Sequence, residues 1–144
     1  MEMRGDDVAE PFARIPELAA SRITEKISSG EYSINLSRQQ YLKHVEGTQQ
    51  YNQYRKDREA KGLLPQSVLI IPESEAQQLI RDKAGTGIVG VSNNGEILSM
   101  ESITADRVIG RTWSGREYID TRKARIHYGK KSAHIVPIGG LDYD

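Results

Sequence analysis

The chain contains no cysteine. That excludes disulfides and thiolate metal sites, and it leaves no redox compartment to infer. No apolar run approaches the roughly 20 residues of a membrane-spanning helix, and the N-terminus lacks the apolar core of a signal peptide. His-Glu-x-x-His does not occur, no serine sits in a nucleophile elbow, and no Asp/Glu cluster is spaced to hold two metals. Gly85-Thr86-Gly87 lacks the following Lys and Ser/Thr of a phosphate-cradling loop, so it reads as a helix stop and turn. There is no internal repeat and no low-complexity segment. The formal net charge is +0, which by itself argues against a nucleic-acid partner.

What is present points elsewhere. At 144 residues and 16.1 kDa, with 37% hydrophobic and 28% charged residues, the chain reads as one small polar domain with an appendage. Its charge is unevenly spread. From Arg107 to His134, Arg107, Arg111, Arg116, Arg122, Lys123, Arg125, Lys130 and Lys131 face only Glu117 and Asp120, a balance of +6. Residues 1–36 carry seven acidic and four basic side chains, a balance of −3. A basic C-terminal face suits a phosphate backbone, and solvated strand faces are the plainer alternative.

The spacing of Ile15, Leu18, Ala19, Ile23 and Ile27 predicts a helix over 11–28, stopped by Ser28-Ser29-Gly30. Residues 1–33 form an expected helical docking arm or the end of an upstream region (a carrier remnant, on the resemblance given below), and 34–144 the main domain. Ser37-Arg38-Gln39-Gln40 is a capping box that opens a short helix to about Val45, before Gly47. Thr48 to Lys61 is polar, rich in Gln, Tyr and charge, with Gly62 as a C-terminal stop. Val68 to Ile71 is a short apolar strand, and Ser74-Glu75-Ala76-Gln77 a second capping box opening a helix to about Lys83. Short strands follow over 88–91, 96–98, 108–112, 117–119, 124–128 and 134–138, separated by turn residues such as Asn93-Asn94-Gly95 and Gly129. Helices first and an antiparallel sheet afterwards spell α+β.

Thr121, Tyr128, Lys130, Lys131 and His134 lie close together in the sequence and end in His134-Ile135-Val136-Pro137. Few tasks need hydroxyl, ammonium and imidazole groups at the end of a small sheet, and cutting RNA without a metal is one. Imidazole ordinarily titrates near 6.5 and so moves protons at neutral pH, while lysines neutralise charge growing on a phosphate. His44, near the end of its short helix, is a candidate second imidazole, since cleavage by the RNA's own 2′-hydroxyl needs both a base and an acid. It also has a stabilising reading at the helix dipole. Alternation places Arg125 and His127 on the strand face opposite Tyr128. Tyr128 reads equally as a core aromatic and Thr121 as a strand former. Trp113 reads as packing or as a platform for a base.

In order along the chain stand Gln40-x-x-x-His44 with Gly47-Thr48 and Tyr51, then Pro65-Gln66-Ser67-Val68-Leu69. Glu75-Ala76-Gln77-x-Leu79-Ile80, Ala84-Gly85-Thr86-Gly87 and Val108-Ile109-Gly110 follow. The set closes with Thr121, Ile126-His127-Tyr128, Lys130 and His134-Ile135-Val136-Pro137. Over about Ile34 to Pro137 the chain thereby resembles the polymorphic toxin type 50 domain, a phage and bacterial nuclease toxin grouped with barnase, EndoU, colicin E5/D and RelE. It departs at the turn, with Gly129 where Ser is expected and Ser132 where Gly is.

That resemblance implies N-terminal helices packed on a small central antiparallel sheet. It implies a metal-independent endoribonuclease without cofactor, leaving a 2′,3′-cyclic phosphate on RNA, with tRNA a plausible substrate. The site residues it implies are His44 and His134 as acid and base in unassigned order, Lys130 against the phosphorane, and Tyr128 and Thr121 orienting the phosphate. Lys43, Lys123, Arg125 and Lys131 would hold the flanking backbone. It further implies a cognate immunity or inhibitor protein, and delivery as the C-terminal part of a secreted or phage head-associated carrier to act in a bacterial cytoplasm. A non-catalytic nucleic-acid-binding module, or a protein-interaction module docking through the acidic N-terminal helix, is the competing expectation.

Overall fold

The computed structural model describes residues 16–139. Its elements are α1 (Pro16–Ser28), α2 (Arg38–Leu42), α3 (Gln49–Ala60), β1 (Val68–Leu69), α4 (Glu73–Lys83), β2 (Ile88–Val91), β3 (Ile97–Thr104), β4 (Gly110–Trp113), β5 (Tyr118–Thr121), β6 (Lys123–Tyr128) and β7 (Ala133–Pro137). The architecture is α+β, as the segment order predicts, but the strands form two antiparallel sheets. One has the order β1-β4-β5 and the other β2-β3-β6-β7.

Local chemistry sets most boundaries. The Ser37 side chain accepts from the Gln40 backbone N–H and opens α2. Thr48 caps α3 in the same way, through the Tyr51 N–H, and its hydroxyl also donates to the Leu42 and Val45 carbonyls. Gly62, at φ 71, adopts the left-handed turn that ends α3. The second capping box is not used. α4 starts at Glu73 behind Pro72, which makes no side-chain cap, and Glu73 and Glu75 complement the dipole of its first turn.

The core holds the fully buried Ile23, Ile80, Ile109, Ile126 and Ile135. Ala19 and Ile23 of α1 belong to this cluster; residues 11–15 of the predicted helix lie outside the described residues. At its centre Glu101 of β3, 0% exposed, accepts hydrogen bonds from the backbone N–H groups of Gly85 (3.0 Å) and Gly87 (2.6 Å). The Tyr128 hydroxyl donates a third, at 2.6 Å. A buried carboxylate is tolerated only with such a full set of donors.

The two sheets meet where Gly110, of β4, lies against the chain end of β7. A Cβ there would stand 2.2 Å from the Val68 carbonyl oxygen and 2.9 Å from Pro137 Cγ. Gly110→Ala should therefore destabilise the fold by about 1–3 kcal/mol, read as a lower urea midpoint with an unchanged slope.

Candidate functional site

Three short segments bring the three histidines of the chain together. β6 and β7 pair antiparallel with His127 opposite His134. Along β6, Ala124, Ile126 and Tyr128 are buried, as are Ala133, Ile135 and Pro137 along β7. Alternation then turns Arg125, His127, His134 and Val136 onto the other face. There the His127 and His134 rings stack, with centroids 4.7 Å apart and planes 11° from parallel.

His44 reaches the same place from the end of α2. Its carbonyl accepts from the Leu69 N–H of β1 (2.8 Å), so the backbone is tied to the small sheet. Its ring Nδ1 lies 2.8 Å from the Ser67 carbonyl oxygen. A carbonyl only accepts, so Nδ1 carries the hydrogen and Nε2 is the basic nitrogen. Gln66 braces this loop. Its buried side-chain amide donates to the carbonyls of Lys43 and Tyr51 and accepts from Arg55 Nε.

An open cleft of about 260 Å³ runs past these groups, lined by His44, Tyr54, Arg58, Thr112, Trp113, Arg125 and Val136 among others. Its basic character follows from Arg58, Arg125 and the nearby Lys43. Burial drives the His44 pKa down to about 4, against the raising effect of the Ser67 carbonyl, and the charges of His134, Arg58 and Lys43 lower it further. Burial and the charges of His134, Arg125 and His44 take His127 to about 4 as well. His134 is lowered as well, by burial first and then by the charge of Lys43. A proton on His134 disfavours one on either of the other two rings. Among the described residues, no group of three His, Asp or Glu side chains is disposed to share a metal ion.

The sequence-predicted residues separate into two groups. His44 and Arg125 line the cleft, and His134 and Lys43 lie near enough for their charges to act on His44. Lys130 and Lys131 are exposed in the β6–β7 turn, which the Gly129 N–H closes onto the Ser132 carbonyl (3.0 Å). Lys123 starts β6 at the end far from His127. Tyr128 faces the core, stacked on Tyr32 and bound to Glu101, on the opposite side of the sheet from the imidazoles. The Thr121 hydroxyl is buried at the β5–β6 corner, donating to the Ile138 carbonyl and accepting from the Lys123 N–H. Neither hydroxyl is brought to the histidines. His127 and Arg58 were not singled out for chemistry. Alternation already set His127 apart from Tyr128, and its pairing with His134 follows once the hairpin register is known.

Taken together, the fold and this site make the chain an α+β domain with a basic cleft lined by His44, Arg58 and Arg125, and none of its described helices is long and apolar enough to cross a membrane. Residues 36–137, more than half of the chain, match the bacterial toxin 50 family, and the chain belongs to that family. It is a toxin domain. No curated protein and no solved structure matches it.

The buried neutral imidazoles make stability depend on pH with a definite sign. The unfolded chain binds protons near pH 6.5, whereas folded His44 resists them until about pH 4, so stability falls as pH drops through that window. His44 alone accounts for about 3 kcal/mol of it. Urea midpoints between pH 7 and 4 should show a shallower decline in His44→Gln than in the parent protein.

Proposed function

We propose that the domain is a ribonuclease in which the RNA's 2′-hydroxyl attacks the adjacent phosphate, with His44 as general base and His134 as general acid. The observation that carries this reading is the mutual proximity of three imidazoles and Lys43, beside an open cleft that His44, Arg58 and Arg125 line. His44 presents a neutral Nε2, oriented by the Ser67 carbonyl, to take the 2′-hydroxyl proton. His134, in its protonated form, returns a proton to the departing 5′-oxygen. The bond formed is 2′-O–P and the bond broken is P–O5′, leaving a 2′,3′-cyclic phosphate and a 5′-hydroxyl.

Lys43 and Arg125, whose charges already act on the imidazoles, offset the negative charge of the phosphorane, the task that the resemblance gives to Lys130. Lys130, Lys131 and Lys123 hold flanking phosphates. Tyr128 and Thr121 act through the scaffold and not on the phosphate. Tyr54 and Trp113 offer rings on which bases can stack. The family supports a toxin role, and with it a carrier that delivers the domain to a bacterial cytoplasm and an inhibitor protein that covers the cleft in the producing cell. Structured RNA, tRNA included, is the substrate class to test.

Purified protein incubated with total tRNA and rRNA in EDTA should release fragments, and His134→Ala or His44→Ala should slow single-turnover cleavage about 10²–10⁴-fold. Intact RNA with folded protein and no bound inhibitor would instead favour a binding module. The pH profile of kcat/KM should be bell-shaped. Its rising limb lies near pH 4, where His44 loses its proton, and its falling limb below 6.5, where His134 does. A falling limb above 7 would contradict the assignment.

Tyr128→Phe separates scaffold from chemistry. It removes one of three donors to Glu101 and should cost about 1–3 kcal/mol in urea denaturation, with single-turnover cleavage by the folded variant within about threefold of the parent.

A further inference from the structure

α3 is a helix whose composition packing does not explain. Of its twelve residues only Tyr51 is buried, and it shows Gln49, Gln50, Gln53, Tyr54 and Asp57 to one recess of about 360 Å³, together with Lys43. A helix without an apolar stripe owes little of its side-chain choice to the core. The recess adjoins the histidine cleft: Tyr54 lines both. Lys43 Nζ stands 5.2 Å and the Arg58 guanidinium 5.6 Å from the centroid of the Tyr54 ring. It also stands edge-on to His44 at 5.8 Å.

The lining is unlike that of a phosphate site. Asp57 would repel a phosphate, and it accepts a hydrogen bond from Gln53 Nε2 at 2.9 Å. Each glutamine amide brings two N–H donors and one carbonyl acceptor, and the carboxylate accepts only. Such a set matches the edge of an unpaired base, which single-stranded RNA exposes for stacking and hydrogen bonding. A carboxylate favours an edge with two adjacent N–H donors. Among the four RNA bases only guanine has one, at N1 and its 2-amino group.

We propose that this recess is a base-reading subsite for an unpaired guanine beside the scissile phosphate. The base stacks on Tyr54, its N1–H and 2-amino group donate to Asp57, and the amides of Gln49, Gln50 and Gln53 meet its remaining edge atoms. The proposal rests on the ribonuclease reading for the position of the phosphate, yet binding of the base does not require cleavage.

The test uses the full chain and fluorescein-labelled pentanucleotides of 2′-O-methyl RNA, which lack the attacking hydroxyl. The four probes are uridine throughout except for the central base. Anisotropy should show the guanine probe bound roughly tenfold more tightly than the adenine, cytosine or uridine probes. Asp57→Asn should bring the four within about twofold, while binding of the uridine probe stays close to that of the parent. Gln53→Ala, on an exposed helix position, should weaken the guanine probe selectively. Equal affinities in the parent protein, or a preference that survives Asp57→Asn, overturns the subsite. Cleavage of natural RNA that depends on His134 beside equal affinities would overturn the subsite alone. A guanine preference without any cleavage would leave the subsite standing and remove the nuclease reading.

Discussion

A single buried carboxylate orders much of this molecule. Glu101 is fully enclosed and satisfied by two backbone N–H groups from the loop after α4 and by the Tyr128 hydroxyl. An unpaired charge in that position would be prohibitive, so the set of donors acts as a constraint on everything around it. Tyr128 must face inward. Strand periodicity then sends His127 and Arg125 outward, and the pairing of β6 with β7 sets His134 directly opposite His127. A slip of one residue would bury both imidazoles and release the carboxylate at once. In this way a structural interaction on one face of the sheet fixes which side chains the other face presents.

The same economy governs the approach of His44. The segment before α2 runs beside β7, with Ser33 donating to the Gly129 carbonyl and Ser37 to that of Ala133. Gln77 of α4 clamps it by donating to the Ile34 carbonyl and accepting from the Leu36 N–H, both at 2.8 Å. With Ser37 capping α2, and Leu69 and Ser67 holding His44 by backbone and ring, the imidazole arrives on a braced element. It does not sit on a loose loop. Desolvation and the surrounding cations keep it neutral, the state a base requires. Those cations also make the cleft attractive to a polyanion in a protein whose net charge is +0.

The sequence was readable where the physics is local. Ser37 caps its helix because its hydroxyl reaches a backbone N–H group three residues on. The strands between 88 and 137 announce themselves through turns and alternation, although β3 runs on to Thr104, six residues beyond the expected end. Long-range partners were not readable. Nothing near Tyr128 in the sequence reveals that Glu101 waits for its hydroxyl, and nothing near Thr121 shows the Ile138 carbonyl that engages it. The division into two sheets depends on the close approach that Gly110 permits, and the docking of α1 on Ile23 and Ala19, both in the shared core. Ser74 resembles a cap, but Pro72 already has the extended backbone that starts a helix. His44 and His134 were accessible as residue types suited to proton transfer. Their proximity, and the third ring of His127, came only with the strand register.

The claim on which the functional account turns is that the imidazole pair directs attack by the RNA's own hydroxyl. The most direct measurement is the chemistry of the ends left on cleaved RNA, read by mass spectrometry of fragments made in EDTA. The account predicts a 2′,3′-cyclic phosphate on one fragment and a 5′-hydroxyl on the next. Fragments bearing a 5′-phosphate and a free 3′-hydroxyl would mean that water, not the ribose, attacks, and would contradict it.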